Sequence, residues 1–142
     1  MILVDVNLLI YSSTVCPEQE KIRDWLDGQI NERVRVGLPW PTLTAYLRIV
    51  TNVRLYGNSA TTLEKACLQI QDWLSLPNVW APVPTENHLA IFKRMLGVAG
   101  TGKHVPDAHL AALAVEHGLV LCSSDGDFAR YPGLRWMNPL LS

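Results

Sequence analysis

Short, wholly apolar runs alternate along this chain with longer stretches in which apolar residues recur at helical spacing. The first run, Ile2-Leu3-Val4, stops at Asp5. An unpaired charge is costly to bury, so the run reads as a buried strand whose C-terminal end carries the carboxylate out of the core. Residues 7–11 lead into Ser12-Ser13-Thr14. A helix is predicted from near Pro17, with Glu18 and Glu20 in its first turn and Ile22, Trp25, Leu26 and Ile30 on one face. Val34-Arg35-Val36 reads as a short strand broken at Gly37. A second helix is predicted from near Thr42 to Asn52 or Val53, followed by a loop at Gly57-Asn58-Ser59. Thr61 and Glu64 have the spacing of a capping box for a third helix through Ala66, Ile70, Trp73 and Leu74. Val79-Trp80-Ala81 reads as a strand.

In the second half, Thr85 is the expected N-cap of a fourth helix ending near Leu96, and residues 97–102 read as a loop. Residues 107–117 form a fifth helix closed by Gly118, with Ala108, Ala111, Ala112 and Ala114 suited to close packing on a sheet. Leu119-Val120-Leu121-Cys122 has the apolar character of a parallel-sheet strand, and Leu134-Arg135-Trp136 is the last expected strand. Strands alternating with helices define an α/β protein with a mainly parallel central sheet, in one domain over residues 1–142.

Composition narrows the partners. Hydrophobic residues make up 49% and charged residues 18%, which suits a packed domain and argues against disorder. The formal charge of -1 leaves no broad basic footprint, so nucleic acid would have to bind through a local patch. Cys16, Cys67 and Cys122 are far apart and unpaired in pattern, which suits a reducing, cytoplasmic setting. Neither a signal peptide nor a membrane span is expected.

The candidate chemistry lies in the acids. In a parallel sheet, Asp5 and the pair Asp125 and Asp127 follow strands that end at the same edge. Asp107 opens the helix that leads back into the second of those strands, so it too belongs at that edge. Each acid alone reads as a cap or turn residue. Together they would repel one another, and a hard divalent cation, magnesium or manganese, would remove that penalty. Such an ion polarises a phosphoryl group and generates the hydrolytic nucleophile.

With those residues in view, the chain resembles the PIN-domain ribonucleases of the VapC toxin family. The similar pieces are Val4-Asp5-Val6-Asn7-Leu8-Leu9-Ile10-Tyr11, Leu47-Arg48-Ile49-Val50-Thr51-Asn52, Pro106-Asp107-Ala108-His109-Leu110-Ala111-Ala112 and Ser123-Ser124-Asp125-Gly126-Asp127-Phe128. The segment Phe128-Ala129-Arg130-Tyr131-Pro132-Gly133-Leu134-Arg135-Trp136 is similar to one branch of the family. The resemblance implies a PIN-like three-layer α/β/α sandwich and a metal-dependent endoribonuclease that is the toxin of a type II toxin–antitoxin system. It further implies neutralisation by a cognate VapB-like antitoxin, and a homodimer. Asp5, Asp107 and Asp125 match the metal ligands, with Asp127 as adjacent catalytic support and Mg2+ or Mn2+ as the cofactor. Many relatives carry a glutamate where this chain has Ala45, so Thr42 or Thr44 is considered instead, to supply a hydroxyl or hold a water.

Two other readings remain open at this point. One is a PIN domain with weakened catalysis that acts by binding. The other is a haloacid-dehalogenase-like phosphatase, which would need a second Asp where this chain has Asn7 and would have to use Lys103 to balance its nucleophile. Asn7 is read either as orienting Asp5 or a metal-bound water, or as a turn residue. Arg48 is read as a salt-bridge partner or a phosphate contact, and Lys93, Arg94 and Lys103 as a solvated face or phosphate contacts. His104 and His109 are left out of the catalytic set. Trp25, Trp40, Trp73 and Trp80 are assigned to the core or to an apolar groove.

Overall fold

A computed structural model describes residues 1–141. Its centre is a five-stranded sheet in the order β3-β2-β1-β4-β5, every neighbouring pair parallel. The strands are β1 (Ile2–Val4), β2 (Val36–Gly37), β3 (Val79–Trp80), β4 (Val120–Cys122) and β5 (Trp136–Met137). The helices are α1 (Val6–Ser13), α2 (Gln19–Asn31), α3 (Trp40–Val50), α4 (Val53–Tyr56), α5 (Leu63–Ser75), α6 (His88–Ala99) and α7 (Val105–His117).

Side chains alternate across a strand, and β1 shows it: Ile2 and Val4 enter one core, Leu3 the other. The first core joins the sheet to α1, α2, α3 and α5 through residues such as Leu9, Ile22, Leu43 and Ile70. The second joins it to α6 and α7 through Met95, Leu110 and Leu113. This is the expected α/β/α sandwich. The alanine face of α7 does what its small side chains allow: Ala108, Ala111, Ala112 and Ala114 are all fully buried. Gly118 then ends the helix at φ +67°, a conformation that disfavours residues with a Cβ.

Several boundaries differ from the sequence expectation. The run after Asp5 is helical at once, because Asp5 caps α1 with its own side chain. The second helix starts at Trp40, ahead of Thr42, since Pro39 and Pro41 occupy cap and first-turn positions where no amide donor is needed. It stops at Val50, and Asn52 caps the separate short helix α4. The cap of α5 is Thr62 rather than Thr61: its hydroxyl accepts from the Lys65 amide at 3.2 Å, so Glu64 does not complete a capping box. Thr85 does not cap α6 directly but accepts from the Asn87 amide, and the helix runs on through Gly97 to Ala99 before Gly100 closes it at φ +75°. The strands expected at 34–36 and 134–136 lie one or two residues later, at Val36–Gly37 and Trp136–Met137. At β2, Gly37 is needed for space: a Cβ there would meet Pro82 at 3.1 Å. Among the described residues no helix is long and apolar enough to cross a membrane.

Candidate active site

The strand order makes β1 and β4 neighbours although the chain visits β2 and β3 between them. Connections therefore leave in opposite directions from β1 and β4, and the crevice beyond their C-terminal ends is the place where open α/β sheets bind ligands. Asp5 follows β1 and Ser123 follows β4, in register through the Val4–Cys122 pair.

Asp5 is held by two donors. Its Oδ1 accepts from the Val6 amide at 2.8 Å and its Oδ2 from the Ser123 hydroxyl at 2.7 Å. Burial pushes the Asp5 carboxyl above its ordinary value, the Ser123 and Val6 hydrogen bonds oppose that, and the charges of Asp107 and Asp125 raise it further. Two of the other three predicted acids thus act through their charge on Asp5. Asp107 lies in the first turn of α7. Asp125 caps a 3-10 turn at Gly126–Arg130 by accepting from the Asp127 amide at 2.9 Å. Asp127 itself is exposed, so its recorded support to the site runs through its backbone and not through its carboxylate.

Ser123 is the residue that sequence reasoning passed over. It is fully buried. Its hydroxyl donates to Asp5 while accepting from Asn7 Nδ2 at 3.1 Å and from the Asp125 amide at 3.0 Å. Its carbonyl accepts from Trp136 Nε1 at 3.1 Å. One side chain therefore ties the loops after β1 and β4 together. The available signal was its place directly after an apolar strand, beside an acid-rich turn. Asn7 does orient Asp5, but through Ser123. Of the residues considered in place of the missing glutamate, Thr44 is exposed and donates to the Pro41 carbonyl at 3.2 Å, and Thr42 is buried in α3.

The donor set suits a hydrated hard cation better than a tight cage. Among the described residues, no three His, Cys, Asp or Glu side chains stand close enough to enclose a metal by themselves. Magnesium, however, usually keeps several waters and takes only one or two carboxylates directly. The Oδ1 atom of Asn7 is buried with no hydrogen-bond partner, an acceptor on the residue that braces Asp5 through Ser123. Such orphaned acceptors are rare unless a water or ligand satisfies them.

The remaining polar residues fall outside this cluster. His104 Nδ1 lies 3.4 Å from Asp107 Oδ2, a marginal contact. His109 instead joins a separate network in which its Nδ1 meets His88 Nε2 at 3.0 Å and His88 Nδ1 meets Glu116 at 2.6 Å. Arg48, Lys93, Arg94 and Lys103 are exposed, and the salt bridge expected for Arg48 does not form among the described residues. Trp73 is buried, whereas Trp40 is half exposed and lines an apolar cavity of about 520 Å³ with Leu47, Ile70 and Leu74.

No protein-family model matches the chain. Among curated proteins it is 43% identical to Ribonuclease VapC37 of Mycobacterium tuberculosis, covering 98% of this chain and 97% of that one. It is 37% identical to Ribonuclease VapC33 of the same organism, covering 99% of both, and 34% identical to VapC ribonuclease Mb2897 of Mycobacterium bovis, covering 99% and 96%. Among solved structures, VapBC2 from Rickettsia felis bound to a promoter DNA fragment superposes with a TM-score of 0.70 at 15% identity, covering 97% of this chain and 98% of that one. FitAcB from Neisseria gonorrhoeae gives 0.66 at 23% identity, covering 99% of both.

Proposed function

Because the chain belongs to the VapC ribonuclease family, we propose that it is a magnesium- or manganese-dependent endoribonuclease whose acidic site is Asp5, Asp107 and Asp125. The observation that carries this reading is the Asp5–Ser123 hydrogen bond, which locks a partly buried carboxylate at the β1–β4 crevice within the fields of two others. The charges of Asp107 and Asp125 act against that of Asp5, and a hydrated cation would relieve this repulsion.

Asp5 would be the fixed ligand, since Val6 and Ser123 set its orientation before any cation arrives. Asp107, on the first turn of α7, and Asp125, on the turn after β4, would complete the set from two other segments. When bound, the ion supplies charge neutralisation and Lewis acidity at the phosphoryl group. The part of the three carboxylates is to hold and orient the ion. Hydrolysis adds water across the P–O3' bond, leaving a 5'-phosphate and a 3'-hydroxyl. Sequencing both ends of the RNA fragments tests this: fragments carrying a 3'-phosphate would contradict it.

In the cell we assign the chain the role of toxin, neutralised by a VapB-like antitoxin. The fold neighbours named VapBC support that partner class. A homodimer is part of the same reading, supported by the apolar cavity beside Trp40. Three free cysteines support a cytoplasmic setting.

A further inference from the structure

Leu121 of β4 pairs with Trp136 of β5, and Cys122 pairs with Met137. The ladder runs one step further, because the Ser123 amide donates to the Met137 carbonyl at 3.0 Å. In a regular parallel ladder the Ser123 carbonyl would next accept from the amide of residue 139. Residue 139 is proline, which has no N–H to give. Ser123 is fully buried, and a buried carbonyl without a donor is costly. The indole of Trp136 takes the place of that amide: its Nε1–H donates to the Ser123 carbonyl at 3.1 Å. The Trp136 ring is half-buried and packs on the core that contains Leu121 and Phe128. Strand β5 thus holds both backbone polar groups of Ser123, and the Ser123 side chain holds Asp5 at 2.7 Å.

We propose that Trp136 is a positioning residue of the acidic site: by fixing the Ser123 carbonyl it aims the hydroxyl that holds Asp5. The role rests on the ribonuclease reading of that site, whereas the chain of hydrogen bonds from Trp136 to Asp5 stands without any cation. With its amide and carbonyl both held, Ser123 cannot turn about its backbone. Its hydroxyl then stays where it donates to Asp5 and accepts from Asn7 and from the Asp125 amide. Without the indole bond, the peptide after Ser123 is held from the Asp125 side alone, and Asp5 loses a fixed donor. Trp80 is the contrast. Its Nε1 is buried with no partner, so deleting that N–H breaks no bond.

Trp136→Phe keeps an aromatic ring and removes the N–H; Trp80→Phe makes the same change where no bond is lost. The test is cleavage, in magnesium, of a labelled RNA oligonucleotide spanning a site mapped in total cellular RNA. Wild type, both variants, Ser123→Ala and Trp136→Phe/Ser123→Ala are compared, with rates taken per folded molecule. Trp136→Phe should lower kcat about fivefold, the effect of one lost hydrogen bond, with KM unchanged. Trp80→Phe should match wild type. In the Ser123→Ala background Trp136→Phe should cost nothing more, because the two residues act through one bond. A kcat equal to wild type, a rise in KM alone, or a loss that adds to that of Ser123→Ala would overturn the inference. Hydrogen exchange without magnesium or RNA reads the link independently. The Asp125 amide, bonded to the Ser123 hydroxyl, should exchange faster in Trp136→Phe than in wild type, and an equal rate would overturn the inference. Should Trp136→Phe not fold, the Trp136 indole N–H of wild type decides: exchange as slow as that of the β4 amides supports the bond, and fast exchange overturns it. A wild type that cleaves no RNA overturns the ribonuclease reading and the role with it, while faster Asp125 exchange in Trp136→Phe would still show that the indole fixes Ser123.

Discussion

Ser123 decides more than any other single residue. Its hydroxyl serves two loops and one carboxylate at once, so Ser123→Ala removes a bond to a charged acceptor and strands the Asn7 amide and the Asp125 backbone. A loss of about 2 kcal/mol in stability is expected from chemical denaturation, together with a fall in RNA cleavage. Asp5 shows the opposite trade. Its folded-state pKa is raised, so its contribution to stability is fully present below the ordinary value of 3.8 and is lost as pH rises through the folded-state value. In EDTA at neutral pH, Asp5→Asn should therefore unfold at a higher temperature than wild type while failing to cleave RNA. A lower midpoint would mean that the hydrogen bonds from Val6 and Ser123 outweigh burial. Asp5 was readable from the sequence because a carboxylate that ends an apolar run has to leave the core. Ser123 was not, because a serine after a strand looks the same whether it turns the chain or braces an acid.

At the scale of elements, β4 and α7 position the site. Leu121 is fully buried in the middle of the sheet, and Leu121→Ala is expected to cost about 2–5 kcal/mol. Cys122, next along β4, has its thiol pushed up from 9.0 to about 12 by burial. It favours the protonated form, so its stabilising effect is complete below pH 9.0 and is lost as pH rises toward 12. In the native protein a thiol reagent at pH 8 should label the exposed Cys67 quickly and Cys122 only on unfolding. Mass spectrometry of labelled peptides reads this directly, and fast labelling of Cys122 would show that β4 opens. Element types were mostly legible, since apolar runs and helical spacing record burial. Boundaries were less so. Thr61 and Thr62 offer the same cap chemistry, and the structure uses Thr62. The helix after Asp5 was hidden because a continuous apolar run has no period to distinguish a buried helix from a strand.

For the whole molecule, the parallel sheet with its switch point between β1 and β4 explains why acids spread from residue 5 to residue 125 share one crevice. The sequence allowed this edge to be found, because parallel strands must end together. Strand geometry alone did not separate Asp127 from the other three, since two residues along a turn can face either way, and only the family resemblance set it apart. The proposed dimer belongs to this scale too. If the Trp40 cavity is its contact, Trp40→Asp should halve the mass seen by light scattering and leave the fold intact. An unchanged mass would place the contact elsewhere.

The most direct test of the account is the rate of cleavage of total cellular RNA by the purified chain in magnesium and in EDTA, with Asp5→Asn, Asp107→Asn, Asp125→Asn and Asp127→Asn alongside. The account predicts discrete fragments with magnesium, none with EDTA, near-complete loss in the first three variants, and only a mild reduction in Asp127→Asn. Cleavage that persists in EDTA, or that survives in Asp5→Asn and Asp107→Asn, would contradict it.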